Sequence, residues 1–147
     1  MSATAGRLRG IYAIINEGEP NPVRLAEALM QGGVGIIQYR AKSGVVLGHA
    51  RALRDLTADY QALYFINDDW QTAITVGADG VHLGPEDASA KELLGIRSQL
   101  GSRLLGLSCG TVEEAQQAQA LGADYIGVGA VFATTSKADA GAPIGLT

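Results

Sequence analysis

Short apolar runs recur along the chain at residues 11–15, 35–39, 63–66, 80–83, 104–107 and 125–128, each followed by a polar residue or glycine. Their length and aliphatic content predict six strands. The runs are nearly continuous rather than alternating, the pattern of strands covered on both faces. Between them, apolar residues fall at helical spacing behind start signals: Asn21 then Pro22, Ser89 with Glu92, and Thr111 with Glu114. The last two match the spacing of a capping box. Gly32, Gly77 and Gly122 each follow a helical stretch and are expected in the left-handed conformation that ends a helix.

A repeat organises these elements. Residues 77–84 read GADGVHLG and residues 122–129 read GADYIGVG, with a weaker copy, GVGIIQ, at residues 33–38. A period of about 45 residues is long for one strand–helix unit and natural for two. Strand alternating with helix implies a parallel sheet with helices outside it. Two architectures compete. A length of 147 residues favours an open doubly wound sheet, because a closed eight-stranded barrel typically needs about 250 and at least roughly 200. The strand ends favour the barrel: Asn16, Gln38 with Arg40, Asn67 with Asp68, His82, Ser108 and Thr134 all sit at or just past the C-terminal ends of strands. A barrel builds its site from many strand ends, whereas an open sheet gathers ligand contacts at one switch point. No Gly-x-Gly-x-x-Gly or Gly-Lys-Ser/Thr phosphate loop occurs, which weakens the nucleotide-binding open sheet further. The expected fold is α/β, of the TIM (β/α)8 barrel family, with about six βα units forming an incomplete barrel in one domain over residues 1–147.

Composition narrows the partners. Apolar residues make up 47% and charged residues 18%, as in soluble globular proteins. The longest apolar run, residues 125–133, is far short of the roughly 20 residues that cross a bilayer. Arg7 and Arg9 precede a run too brief for a signal-peptide core, so a cytoplasmic location is expected. A formal charge of −4 without a basic block makes nucleic acid an unexpected partner. The single cysteine, Cys109, has no second cysteine for an internal disulfide or a shared zinc site; it reads as an inert thiol.

The candidate chemistry is local. QYRAK places Gln38, Arg40 and Lys42 at alternate positions after a strand, which turns an amide and two cations to one side. That suits a diphosphate; the alternative is a solvated strand exit. Asp68 and Asp87 follow neighbouring strands and can converge on a hard cation such as Mg²⁺, which takes carboxylate, water and phosphate oxygens. The alternative for these acids is helix capping, a role expected for Asp69 and Ser89 and open for Asp87. His82 stands inside an apolar strand, as a satisfied buried histidine or a substrate contact. Thr134, Ser136 and Lys137 after the last strand have the composition of a phosphate-binding loop.

Taken in order, QYRAK, FINDDW, GADGVHLGPEDAS and GLSCGTVEEAQQAQALGADYIGVGAVFATTSK resemble the thiamine-phosphate synthase family, over nearly the whole chain. The resemblance implies a TIM barrel that joins hydroxymethylpyrimidine diphosphate to a thiazole phosphate, giving thiamine phosphate and diphosphate with Mg²⁺. It implies Gln38 and His82 near the pyrimidine, and Arg40, Lys42, Asn67 and Lys137 on the diphosphate. Asp68 and Asp87 would be Mg²⁺ ligands, Ser108 would face the reacting groups, and Thr134 and Ser136 would reach the thiazole phosphate. The implied chemistry is dissociative, with Ser108 and Lys137 at the reacting centre. Pro85 stands where the family pattern has Gln, and Ser136 where it has a second Thr. The family pattern continues through two more strands after residues 142–146, so the expectation is a C-terminally truncated member with impaired activity. The alternatives are a thiazole tautomerase-like relative, or a non-catalytic incomplete barrel acting through self-association as a homo-oligomer.

Overall fold

The computed structural model of the chain describes residues 4–135 and 142–146. The six expected strands form: β1 (Tyr12–Asn16), β2 (Ile36–Arg40), β3 (Leu63–Asn67), β4 (Gly80–Leu83), β5 (Leu104–Cys109) and β6 (Tyr125–Val128). They make one sheet in chain order, each parallel to the next. A doubly wound sheet reverses its strand order at a switch point, and this order never reverses. The strand order therefore decides between the two architectures in favour of a six-stranded arc of barrel type. Among the described residues the arc is not closed, and β1 and β6 are its outer strands.

Five helices alternate with the strands: α1 (Pro22–Gln31), α2 (Leu47–Asp59), α3 (Trp70–Thr75), α4 (Ala90–Leu100) and α5 (Val112–Ala120). Asn21, Asp69, Ser89 and Thr111 cap α1, α3, α4 and α5 by accepting a backbone N–H three residues on. The capping box is complete at Ser89 and Glu92. At α5 only half forms, because the Glu114 carboxylate takes the N–H of Gly110 instead. The left-handed residue after α1 is Gly33 (φ 94°), one position past the expected Gly32 (φ −79°), whereas Gly77 and Gly122 adopt it as expected. Gly32 is itself the last half-helical residue, and the reversal belongs to the residue after it. None of the described helices is long and apolar enough to cross a membrane.

Strand alternation divides the core into two layers. Ile37, Tyr39, Tyr64, Ile66, Val81, Leu105 and Leu107 face the helices and pack on Ala26, Ala50, Leu53, Ala73, Leu93 and Ile96. The opposite parity builds the inner layer: Ile36, Leu63, Phe65 and Leu104, with Tyr12 and Tyr125 against them and Ala5 and Leu8 of the N-terminal turn packed alongside. Large rings fit inside the arc because glycines on the next strand leave room. A Cβ on Gly106 would lie 2.1 Å from the Tyr125 ring.

The repeated Gly-Ala-Asp has a structural cause. Asp79 donates its N–H to Tyr64 O, and its Oδ2 accepts from Tyr64 N and from Arg54 Nη1, both at 2.9 Å. Asp124 treats Leu105 and Arg97 the same way, at 2.8 and 3.0 Å. Each aspartate brackets one residue of the preceding strand and pins the arginine of an earlier helix. Asp79→Ala is therefore expected to cost about 1.5–3 kcal/mol, the range for hydrogen bonds to a charged group. A urea titration measures it; an unchanged midpoint would remove the bracket as a source of stability.

Candidate active site

The inner parity changes from apolar to polar along each strand. β2 turns Ile36, Gln38 and then Arg40 inward; β3 turns Leu63, Phe65 and Asn67; β4 turns Gly80 and His82; β5 turns Leu104, Gly106 and Ser108. Parallel register sets Asn16 beside Arg40, Asn67 beside His82 and Ser108 beside Gly127. The starts of the strands thus fill a dry layer, and their ends open into a cleft of about 700 Å³. Gln38, Arg40, Lys42, Asn67, Asp68, His82, Asp87, Ser108 and Thr134 all line it. Ser136 and Lys137 lie outside the described residues.

One wall carries a cluster of opposed charges. Asp68 follows β3 with φ 64°, a left-handed conformation uncommon for a side-chain-bearing residue. Its Oδ2 lies 2.6 Å from Lys42 Nζ, and Asp87 Oδ1 lies 3.9 Å from the same ammonium. Burial first, and then the hydrogen-bonded carboxyl of Asp87, raise the pKa of Asp68, with Lys42 opposing them. The hydrogen bond from Lys42 to Asp68 in turn raises the pKa of Lys42. Asp87 does not cap α4, which Ser89 caps; it accepts the N–H of Gly84 instead. Arg40 Nη1 reaches Asn16 Oδ1 at 3.3 Å on the neighbouring strand. The two carboxyl groups thus share one ammonium on this wall of the cleft. Among the described residues, no group of three or more His, Cys, Asp or Glu side chains comes together as a metal cluster.

The cleft floor is a row of hydrogen-bonded side chains. Gln38 Nε2 donates to the Tyr12 hydroxyl at 2.9 Å, which meets the Tyr125 hydroxyl at 2.8 Å. That hydroxyl lies 3.1 Å from His82 Nδ1, and His82 Nε2 lies 2.9 Å from Ser108 Oγ. His82 is half-buried: both ring nitrogens meet protein hydroxyls, and the side chain lines the cleft. Burial pushes the Tyr12 phenol up to about 12 and raises that of Tyr125 further. Phe65 packs edge-on to Tyr125, with ring centroids 5.5 Å apart, and supports both tyrosines.

Sequence reasoning missed Tyr12 and Tyr125. The available signal was parity: Tyr12 precedes Asn16 by two alternations, and Tyr125 shares the inner face with Gly127, opposite Ser108. Cys109 is buried, its pKa raised by that burial, and its Sγ contacts Leu107 O, consistent with an inert thiol.

Known proteins are similar to this chain in sequence and in fold. A family model described as thiamine monophosphate synthase matches residues 11–147. The thiamine-phosphate synthase of Moorella thermoacetica is 45% identical, covering 92% of this chain and 67% of the relative. That of Acidithiobacillus ferrooxidans is 44% identical, covering 90% and 65%. Among solved structures, thiamine phosphate pyrophosphorylase from Pyrococcus furiosus superposes with a TM-score of 0.71 at 33% identity, covering 81% of this chain and 59% of that one. The chain thus spans about two-thirds of the length of the curated relatives it matches.

Proposed function

The chain belongs to the thiamine monophosphate synthase family, and on that premise we propose that it joins hydroxymethylpyrimidine diphosphate to a thiazole phosphate, releasing diphosphate and forming thiamine phosphate with Mg²⁺ as cofactor. The observation that carries this reading is the cluster of Lys42, Asp68 and Asp87 on one wall of the cleft, beside Arg40 and Asn67. Asp68 and Asp87 are the Mg²⁺ ligands in this reading. Their facing carboxyls, one of them raised in pKa by burial and by the other, are relieved by a cation. Mg²⁺ commonly uses only one or two protein carboxylates, with water and phosphate oxygens completing its shell, so the donor set fits. When bound, the ion supplies positive charge at the leaving group.

The protein's own contribution is charge neutralisation and alignment. Arg40, Lys42 and Asn67, with Lys137 beyond the described residues, hold the diphosphate so that negative charge developing on it is met by fixed donors. Gln38 and His82 bind the pyrimidine, Ser108 faces the reacting groups, and Thr134 and Ser136 take the thiazole phosphate. Holding the two rings in register turns a bimolecular capture into a local one. The cleft floor carries uncharged hydroxyls and an imidazole rather than an activated nucleophile, in keeping with a reaction driven by departure of the leaving group. A relative that only rearranges a thiazole phosphate would have little use for the carboxylate pair and Lys42.

In an assay with both substrates, thiamine phosphate and diphosphate should appear in equal amounts and only with Mg²⁺. Binding of the thiazole phosphate with no Mg²⁺-dependent binding of the pyrimidine diphosphate would overturn the reading.

A further inference from the structure

The row of side chains across the cleft floor has a direction. Gln38 already donates its amide hydrogen into the Tyr12 oxygen, and a phenol has one proton to give. Among the described residues, the acceptor within reach of the Tyr12 proton is the Tyr125 oxygen, 2.8 Å away. Tyr125, accepting from Tyr12, then spends its own proton on His82 Nδ1 at 3.1 Å. A neutral imidazole whose Nδ1 accepts carries its hydrogen on Nε2, and that hydrogen points to Ser108 Oγ at 2.9 Å. Ser108 accepts from the protein and so turns its hydroxyl hydrogen toward the cleft. The opposite order would have Tyr12 accept from both Gln38 and Tyr125 and leave the proton of a half-buried hydroxyl without a protein acceptor among the described residues, the less favourable arrangement. Both phenols are held in the protonated form by burial, so the protons the row needs are present at neutral pH.

We propose that Tyr12 and Tyr125 are positioning residues that lock His82 as its Nε2-protonated tautomer and thereby make Ser108 a hydrogen-bond donor to the substrate. The amide of Gln38 thus sets the polarity of a hydroxyl four hydrogen bonds away. The row selects substrate: the atom that meets Ser108 has to be an acceptor, an anionic oxygen or a ring nitrogen, and a ligand presenting a donor there meets another donor. What Ser108 donates to rests on the functional reading above; the direction of the row does not.

The test is the ¹⁵N spectrum of the chain labelled at histidine, recorded without substrate at neutral pH. His49 and His82 are the two histidines, and His49→Gln assigns them. His82 is expected as a single tautomer, with Nδ1 at an acceptor shift and Nε2 at a protonated shift. Tyr125→Phe should abolish that single-tautomer signature, and Tyr12→Phe should weaken it. Ser108→Ala, at the receiving end, should leave it intact. An Nδ1-protonated His82 in the wild type, or an unchanged tautomer in both phenylalanine variants, would overturn the proposal. If neither phenylalanine variant folds, Ser108→Ala decides: a change of tautomer there means that the row runs the other way. Absence of thiamine phosphate formation beside the expected spectrum would count against the functional reading and leave the row in place.

Discussion

Asp68→Asn is expected to lower the rate of thiamine phosphate formation about 10²–10³-fold, the loss typical when one preorganised electrostatic group is removed, with little loss of stability. The split follows from the local structure. Asp68 holds φ at 64°, and asparagine tolerates that conformation at least as well as aspartate, so the backbone turn survives. The lost Lys42 pair is 40% and 25% exposed at its two side chains, and such pairs are worth about 0–1 kcal/mol. Against that loss stands a gain, because the substitution removes a carboxylate whose charged form burial and the neighbouring Asp87 already disfavour. What the variant gives up is the negative charge opposite Asp87 and, in the function proposed above, one ligand of the divalent cation. Steady-state kinetics and a thermal melt on the same preparation check both halves. Wild-type turnover in the variant would remove Asp68 from the site, and a collapse in stability would make its role structural.

Gly80→Ala carries the second large effect, and it falls on the fold. A Cβ there would lie 2.4 Å from Phe65 Cε1 and 2.5 Å from the Leu104 carbonyl oxygen. The carbonyl belongs to the neighbouring strand and cannot swing away as a side-chain tip can. Phe65 is fully buried and touches both Tyr12 and Tyr125. The added methyl therefore pushes on the sheet ladder and on the ring that supports the cleft floor. Overpacking of this kind costs about 1–3 kcal/mol, occasionally more, and the upper end is expected here. Gly95→Ala supplies the contrast, since that glycine sits in α4 with nothing within 4 Å and should gain about 0.5–1 kcal/mol from helix propensity. Equal effects of the two alanines in urea unfolding would contradict the tight inner packing.

The strands were legible because continuous apolar runs in a buried parallel sheet have few other readings. Their C-terminal bounds were less so. β3 extends to Asn67 and β5 to Cys109, since the ladder continues past the last aliphatic residue to pair Asn67 with His82 and Cys109 with Val128. The helix starts at Asn21, Ser89 and Thr111 were readable from side chains that accept N–H groups locally. α2 offers no such signal, beginning after Val46 without a side-chain cap, and is held by burial of Ala50, Leu53 and Thr57. The Gly-Ala-Asp repeat was visible, but its meaning depends on the backbones of Tyr64 and Leu105, which only the folded sheet brings to Asp79 and Asp124.

The cleft residues were readable because a barrel-type sheet puts every strand end on one side, so position after a strand predicts convergence. Tyr12 and Tyr125 escaped because their importance lies in a contact between hydroxyls 113 positions apart. Lys42 was expected to face a ligand, and it does line the cleft; that it also neutralises Asp68 follows from the turn after β3, which no local pattern encodes.

In the function proposed above, the wall formed by Lys42, Asp68 and Asp87 takes a metal-bound diphosphate. Calorimetric titration of the chain with inorganic diphosphate, once with Mg²⁺ and once with a chelator, tests it most directly. Charge-assisted contacts of about 1.5–3 kcal/mol predict that Mg²⁺ strengthens binding roughly 10- to 100-fold. Equal affinity in the two titrations would contradict the account.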